Sequence, residues 1–340
     1  MKKIILPFLL IVLIGCGSSK VRRVEASKAA TTSLENIMAA RKAQTDTTEK
    51  TPVYAASVQR HLEFLTSDRL QGRDTGSEGL EEAALYITNY FTEYGIKPYF
   101  DSMRDDFEAK GTPTYNIVGM VEGNDPELKK EYVLIGAHYD HIGILDAVNG
   151  DTIANGANDD ASGTVAVMEI AKYFAQHKTN RRSLIFALFS AEEKGLLGSK
   201  HLAQRLKEQE ANIYTMMEVE MIGVPMKDKD YLAYLTGYKI SNMAEVFNTY
   251  CGKKVLGFLP QAKEYNLFNR SDNASFYEAL NIPAQTVSTF DFTNFDYYHK
   301  VGDEVDKLDM NHITDVINNL IPGIEGMTRS EARIITMNEQ

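Results

Sequence analysis

The chain has 340 residues, of which 44% are hydrophobic and 24% charged, a composition typical of a globular protein that can bury a sizeable core. Its formal net charge of −11 at pH 7 weighs against a nucleic-acid-binding protein, because such proteins usually carry a basic patch or stripe. We therefore expect peptides, small molecules or metal cations as partners, and no nucleic acid.

The first 15 residues are predicted to form a lipoprotein signal peptide. Two lysines precede an apolar run from Ile4 to Gly15, which is too short to span a bilayer as a mature helix. The tetrapeptide LIGC, which ends at Cys16, resembles a bacterial lipobox; the alternative is an ordinary cleaved signal with an incidental cysteine. Residues 16–50, rich in Ser, Thr, Ala and Lys, are predicted to form a tether. We expect a protein anchored to the bacterial cell envelope through lipidated Cys16 alone, in the outer membrane, with its domain in the periplasm or at the cell surface.

A single folded domain is predicted over residues 51–330. Apolar residues recur at helical spacing in VQRHLEFLTS and EGLEEAALYITNYFTEYG, which predicts two amphipathic helices, the second capped by Gly95. The apolar runs YNIVGMVEG and YVLIGAHYD then predict buried strands. A helix from Ser162 to about residue 175, the strand SLIFALF, the helix GLLGSKHLAQRL and a strand near NIYTMMEVEM follow.

Further along, the pattern predicts the strand YLAYLT, a helix near 241–250, a helix starting at Asp272, the strand AQTVST and a closing helix near 311–327. Strands that alternate with helices predict an α/β fold: a mixed, mostly parallel central sheet with helices on both faces. In such sheets, functional residues gather at the carboxyl ends of the strands.

Acidic and histidine side chains follow the ends of the predicted strands or lie in loops beside them. Five segments supply them: His138 and Asp140, Asp159 and Asp160, Glu192 and Glu193, Glu218 and Glu220, and His299. Four other histidines lie in predicted helices or at their ends and are interpreted as ordinary surface or core residues: His61, His177, His201 and His312. His141 is left open, since it could line the site without binding a metal.

Two histidines and three carboxylates are ligands that suit zinc, but a mononuclear catalytic site uses three protein ligands. If two ions share one carboxylate, the five side chains supply three protein ligands to each ion. Two divalent ions about 3.5–4 Å apart would hold a water between them. In an extended segment, neighbouring side chains point to opposite faces, so one of Glu192 and Glu193 could bind metal while the other activates the water. The alternative is that these two acids simply open a helix.

The segments GAHYDHIG, GANDDASG, SAEEKGLLGS, VEMIG and YYHKVGDEVDKLD resemble the co-catalytic di-zinc peptidases, which include bacterial leucyl aminopeptidases, glutamate carboxypeptidases and glutaminyl cyclases. The likeness runs from about His61 to Leu308. It implies the zinc-peptidase α/β/α sandwich, two Zn²⁺ and peptide substrates for the domain. Only about 20 residues separate Gly95 from Tyr115, so the protease-associated domain that many relatives carry at this point is expected to be absent.

The resemblance also implies roles for individual residues. Asp140 would orient His138, Glu192 would be the general base, and the Asp159–Asp160 peptide bond would be cis. The implied metal ligands are His138 and Glu220 for the first ion, Glu193 and His299 for the second, and Asp159 between them. Tyr298 is placed to hydrogen-bond the oxyanion beside the metals.

Two departures from the family pattern are visible. Position 220 is Glu where Asp is commoner, and Glu218, two residues earlier on the same predicted strand face, is an alternative ligand. In the Ser-Asp-Asn sequence at 271–273, relatives often have His after the Asp, so substrate contacts there are expected to differ.

The leading functional hypothesis is a di-zinc exopeptidase that removes amino-terminal residues. Between Ala191 and Tyr298 the only arginines are Arg205 and Arg270, few for binding a substrate carboxylate, and an acidic rim suits a free α-ammonium. Glu218, Asp272 or a ligand carboxylate could receive that ammonium. The alternatives are a carboxypeptidase or dipeptidase, a glutaminyl cyclase, which the absence of Trp disfavours, and an inactive receptor-like binding module.

Overall fold

The computed structural model describes residues 52–339. The predicted signal peptide at 1–15 and tether at 16–50, with Cys16, lie outside the described residues. Within the described part of the chain, no helix is both long enough and apolar enough to cross a membrane.

Two helices and a set of antiparallel strands open the described chain. The second helix begins after Ser77, whose hydroxyl accepts a hydrogen bond from the Leu80 N–H, and the chain leaves it through Gly95 at φ +72°. Three strands then occupy most of the stretch between the second helix and the first long parallel strand. These elements are α1 (Ala55–Leu65), a 3₁₀ turn (Asp68–Arg73), α2 (Glu78–Glu93), β1 (Lys97–Pro98), β2 (Arg104–Ala109) and β3 (Thr112–Val121).

A nine-stranded mixed sheet forms the centre of the fold, in the order β1-β3-β7-β4-β8-β11-β9-β10, with β2 paired to β3. The four central strands β7, β4, β8 and β11 run parallel, and antiparallel pairs flank them. A separate two-stranded hairpin, β5–β6, follows β4. The remaining strands are β4 (Tyr132–His138), β5 (Ile144–Val148), β6 (Asp151–Ile153), β7 (Ser183–Phe189), β8 (Ile213–Val219), β9 (Ala233–Leu235), β10 (Leu256–Gly257) and β11 (Ala284–Ser288).

The central strands are buried on both faces, which explains why their sequences are continuous apolar runs. On one face, Leu134, Ile185 and Met216 join a core with residues of α4 and α7; α1, α3 and α8 pack against one another in a second helical layer. The remaining helices are α3 (Ser162–His177), α4 (Leu197–Glu208), α5 (Met243–Cys251), α6 (Pro260–Glu264), α7 (Asn273–Leu280) and α8 (Met310–Arg329).

The predicted fold class is confirmed, and its consequence for function lies at one edge of the sheet. Because β7, β4, β8 and β11 are parallel neighbours, their carboxyl ends meet, and His138, Glu192 and Glu220 follow three of those ends. The predicted strand YLAYLT is shorter than expected, since only Ala233–Leu235 pair and the chain turns at Gly237 with φ +56°.

Candidate metal centre

Two groups of ligand-type side chains converge at the carboxyl edge of the sheet. The first contains His138, Asp159 and Glu220, and the second contains His141, Asp159 and Glu193; in each group the ligand atoms lie within 4.8 Å of one another. Asp159 belongs to both groups. Its Oδ1 lies 3.2 Å from His138 Nε2, while its Oδ2 lies 3.1 Å from His299 Nε2. One carboxylate therefore faces two sites with two different oxygens.

His299 completes the second group. Its Nε2 lies 3.1 Å from both Glu193 Oε1 and Asp159 Oδ2, and its backbone adopts φ +56°. The five residues proposed from sequence as metal ligands are thus all brought together, and the chain adds His141, which the sequence left open.

The donor atoms in these groups fit a divalent cation. His138 Nε2, Asp159 Oδ2, Glu193 Oε1 and His141 Nδ1 are buried, and within residues 52–339 none of them has a hydrogen-bond partner. Unpaired buried donors and acceptors are costly, so their convergence calls for a group that binds them. Imidazole nitrogen and carboxylate oxygen are zinc ligands.

His138 is held in the orientation that a metal ligand needs. Its Nδ1 lies 3.1 Å from the Asp140 carbonyl oxygen, which places the ring proton there and leaves Nε2 free to face Asp159. The Asp140 carboxylate lies farther from the ring, with Oδ1 3.7 Å from Nδ1, and its expected role in orienting His138 stays a prediction. The carboxylate instead accepts hydrogen bonds from the Glu192 N–H at 3.1 Å and the Thr75 hydroxyl at 3.3 Å.

Glu192 and Glu193 lie in a turn, so the expected extended geometry is wrong. Ala191 adopts φ +59°, and the Glu192 carbonyl accepts hydrogen bonds from the N–H groups of Gly195 and Leu196. Helix α4 begins only at Leu197 and has no acid in its first turn, which removes the interpretation that these acids open a helix. The turn still separates the two side chains, since Glu193 enters the second group and Glu192 enters neither.

Glu192 is an acid with an unusual charge environment. Burial raises its pKa well above the ordinary value, and the charges of Asp272, Glu220 and Glu193 add to the effect, against the opposing influence of His138. A carboxyl group of this kind takes up a proton more readily than an exposed glutamate does.

The structure separates Glu218 from Glu220. Glu218 is fully buried, and its Oε2 accepts hydrogen bonds from the Asn273 N–H at 2.8 Å and from the hydroxyls of Ser271 and Thr286 at 2.6 and 3.0 Å. Glu220, which directly follows β8, lies in the first group instead. Asp272 is also fully buried. The expectation that Glu218 or Asp272 could receive a substrate ammonium is therefore not supported.

The loops around the metal centre are held by Arg73, a residue that the sequence analysis did not identify as functional. The buried Arg73 guanidinium donates to the carbonyl oxygens of Leu65, Tyr139, Asn155 and Gly156 at 2.5–2.9 Å. Burial lowers the pKa of Arg73 to about 10, although nearby carboxylates, Asp303 first, oppose the shift.

The segment that contains Asp159 is held by two more buried acids. Asp303 accepts hydrogen bonds from the backbone N–H groups of Asn158 and Asp159 at 2.7 and 3.0 Å. Asp160 accepts from the N–H groups of Gly163 and Met221 at 3.0 and 2.9 Å. The Asp159–Asp160 peptide bond is cis, as the family resemblance implies.

A cleft opens beside the first group. Its lining includes Glu220, Tyr234, Arg270, Phe290, Phe292 and Tyr298. The Tyr298 ring stacks on His299 at 3.9 Å between centroids, and its hydroxyl accepts a hydrogen bond from Arg270 Nη2 at 3.2 Å. Burial and the charges of Asp159, Glu220 and Glu193 raise the pKa of Tyr298, so the phenol keeps its proton at neutral pH.

The four histidines interpreted as ordinary residues lie outside both groups. His61 contacts Glu169 with 3.2 Å between Nε2 and Oε1, and His201 contacts Asp105 at 3.2 Å. His177 ends α3, and His312 lies in the first turn of α8.

A mixed α/β sheet whose parallel central strands carry two histidine and carboxylate groups sharing one aspartate at their carboxyl ends is the architecture of a metal-dependent hydrolase. The model of peptidase family M28 matches residues 116–322. The chain belongs to peptidase family M28, which confirms the resemblance seen in the sequence.

Individual proteins that the chain is similar to include a probable zinc metalloprotease and two aminopeptidases. The chain is 29% identical over 195 residues to a probable zinc metalloprotease of Pyrenophora tritici-repentis, covering 51% of this chain but only 37% of that protein. It is 25% identical over 270 residues to a probable leucine aminopeptidase of Arthroderma otae, covering 76% of this chain and 68% of that protein. Its fold is similar to that of the LapA aminopeptidase of Legionella pneumophila, with a TM-score of 0.63, 21% identity, and coverage of 87% of this chain and 75% of that one.

Proposed function

We propose that the protein is a zinc aminopeptidase that uses two zinc ions. The observation that carries this proposal is Asp159, whose Oδ1 faces His138 in one group of ligand-type side chains while its Oδ2 faces His299 beside the other. A bridging carboxylate of this kind serves two ions, whereas a single catalytic zinc needs three protein ligands and one open position.

His138, Asp159 and Glu220 would hold the first zinc, and Asp159, Glu193 and His299 the second. When bound, zinc would supply Lewis-acid polarisation of the substrate carbonyl and lower the pKa of the attacking water. Asp140 acts through His138 and Glu192: its carbonyl oxygen fixes the His138 ring, and its carboxylate holds the Glu192 backbone. It is a positioning residue.

Glu192 is proposed as the general base. Its carboxylate would take the proton of the attacking water and then give it to the amine that leaves when the peptide bond breaks. Because the Glu192 side chain belongs to neither ligand group, it is free for this transfer.

Tyr298 is proposed to stabilise the oxyanion. Arg270 donates to the phenol oxygen, so the phenol proton remains available for a hydrogen bond to substrate. The ring lies against His299 and lines the cleft together with Glu220. A developing negative charge beside the first group would thus meet a preorganised donor.

Cleavage at the amino terminus is supported by the charge at the centre. Glu220, a ligand carboxylate, is partly exposed there and could receive an α-ammonium, whereas Glu218 and Asp272 are fully buried. The test is a peptide in four forms: free, N-acetylated, C-amidated, and both. Acetylation should abolish cleavage and amidation should not, and a strong chelator should stop all activity until zinc is restored.

A carboxypeptidase or dipeptidase is the second candidate, and Arg270 is the observation that favours it. Arg205 is held by Asp105 at 2.6 Å, but Arg270 lines the cleft and could bind a substrate carboxylate. In that case amidation would abolish cleavage, and Arg270→Met would raise KM for free peptides. Arg205→Met, at an arginine outside the cleft, is the matched control.

We also propose that the protein is anchored to the cell envelope through lipidated Cys16. This proposal is supported by the LIGC sequence and the apolar run before it.

A further inference from the structure

The second ligand group contains a histidine that the five proposed ligands do not require. His141 is fully buried, and within the described part of the chain neither of its ring nitrogens has a hydrogen-bond partner. Its Nδ1 nevertheless lies 3.0 Å from Glu193 Oε1 and 3.9 Å from Asp159 Oδ2. A buried imidazole directed at two carboxylate oxygens without an aligned hydrogen bond has the surroundings of a metal ligand.

The spacing of the ligand atoms supports a fourfold site. Four donors at zinc distances of about 2.0–2.1 Å in a tetrahedron are separated by about 3.4 Å along each edge. His299 Nε2 lies 3.1 Å from both Glu193 Oε1 and Asp159 Oδ2, and His141 Nδ1 lies 3.0 and 3.9 Å from the same two oxygens. These four separations, out of the six edges of a tetrahedron, bracket the tetrahedral edge length.

The ring of His141 is also fixed in place by its protein surroundings. Its backbone N–H donates to the Arg73 carbonyl at 3.1 Å. Gly156 packs directly on the ring, since a Cβ added at this residue would lie 2.5 Å from His141 Cγ. Gly156 has φ +61°, which also favours glycine there. The backbone approaches closely at this point, so the imidazole has little room to turn away from the second group.

We propose that His141 is the fourth protein ligand of the second zinc, together with Asp159, Glu193 and His299. This rests on the two-zinc centre proposed above and makes its two sites unequal. The second site has four protein ligands and is closed, whereas the first has three and keeps a position open for water and substrate. The second ion is therefore the one retained more tightly, and the first is the one that contacts substrate.

The test separates ligation from hydrogen bonding. In His141→Asn the side-chain amide can still donate to Glu193 from near the Nδ1 position, but it is a poor zinc ligand; His141→Ala removes both interactions. Zinc content is measured by elemental analysis across a series of chelator-buffered zinc concentrations. His201→Asn, at a histidine outside the centre, is the matched control.

Both His141 variants should bind the second zinc at least about 100-fold more weakly than the parent, beyond the loss typical of residues that merely support a ligand. The His201→Asn control should bind both zinc ions with parental affinity. A smaller loss, or an Asn variant with parental affinity, would show that His141 only holds Glu193 and would overturn the proposal.

A second measurement uses the unaltered protein, so it does not depend on how the variants fold. X-ray absorption of the zinc-loaded protein should show three imidazoles for two zinc ions, supplied by His138, His141 and His299; two imidazoles would overturn the proposal. Neither readout involves a substrate. A failure of the amino-terminal cleavage assay therefore leaves this result standing, while a protein that binds no zinc refutes the fourfold site directly.

Discussion

Replacing Glu192 by Gln removes one proton acceptor and changes little else in the centre. The amide is nearly isosteric with the carboxylate, and the turn is held through the backbone, since the Glu192 N–H donates to Asp140 Oδ1 at 3.1 Å. The side chain contributes to neither ligand group. We therefore expect the Glu192→Gln protein to keep its parental zinc content.

Turnover should fall by roughly 10²–10⁴, the range for loss of a general acid–base group, which corresponds to about 2.7–5.5 kcal/mol in the activation barrier. Because binding of the substrate to the metals is retained, the loss should appear in kcat rather than in KM. The assay is steady-state kinetics on an unblocked peptide, with zinc measured on the same samples.

Glu193→Gln is the informative contrast. Glu193 Oε1 lies 3.0 Å from His141 Nδ1 and 3.1 Å from His299 Nε2, so this variant should lose zinc first and recover part of its activity when zinc is added. Glu278→Gln, at an exposed acid on α7, controls for the loss of one charge. A Glu192→Gln enzyme that loses zinc, or that turns over within about tenfold of the parent, would refute the division of roles between the two acids.

Three further outcomes are expected. Burial opposes ionisation of Glu169, but hydrogen bonds from His61 and Ser57 outweigh it and lower the pKa to about 2. The carboxylate should therefore contribute about 3 kcal/mol of stability above pH 4.5, lost as pH falls towards 2; denaturant titrations should show this loss, and Glu169→Gln should abolish it. Glu220→Asp should keep both zinc ions, whereas Glu220→Ala should lose one; elemental analysis showing two in the Ala variant would exclude Glu220 as a ligand. Cys16→Ser should stop lipid labelling and lipoprotein processing. A variant that still fractionates with membranes as the parent does would refute anchoring through Cys16.

The parts of the centre that could be predicted are those set by strand ends. The apolar runs that end before His138, Glu192 and Glu220 are long enough to identify buried strands, and parallel neighbours place their carboxyl ends at one edge. The choice of Glu220 over Glu218 comes from the family resemblance, and the structure places Glu220 just past β8 while Glu218 is buried within it.

The remaining features depend on contacts between distant segments. Arg73 acts on carbonyl groups up to 83 residues away, and Asp303 holds N–H groups about 145 residues away, so no local pattern predicts either role. In the sequence, Arg73 and Asp303 appear only as single charged residues within the segments GRDTGS and VGDEVD. The turn at Glu192 depends on the positive φ of Ala191, a conformation that few alanines adopt. His141 could be recognised only once Glu193 and His299 were placed beside it.

The buried guanidinium of Arg73 has a consequence for how the protein positions its metal ligands. Arg73 ties the end of α1, the segment after β4 and the segment before Asp159 into one unit using hydrogen bonds that the polypeptide itself provides. Asp303 does the same for the bridging aspartate. Protein hydrogen bonds thus join loops that are distant in sequence, so the positions of the ligands do not rest on the metal ions alone.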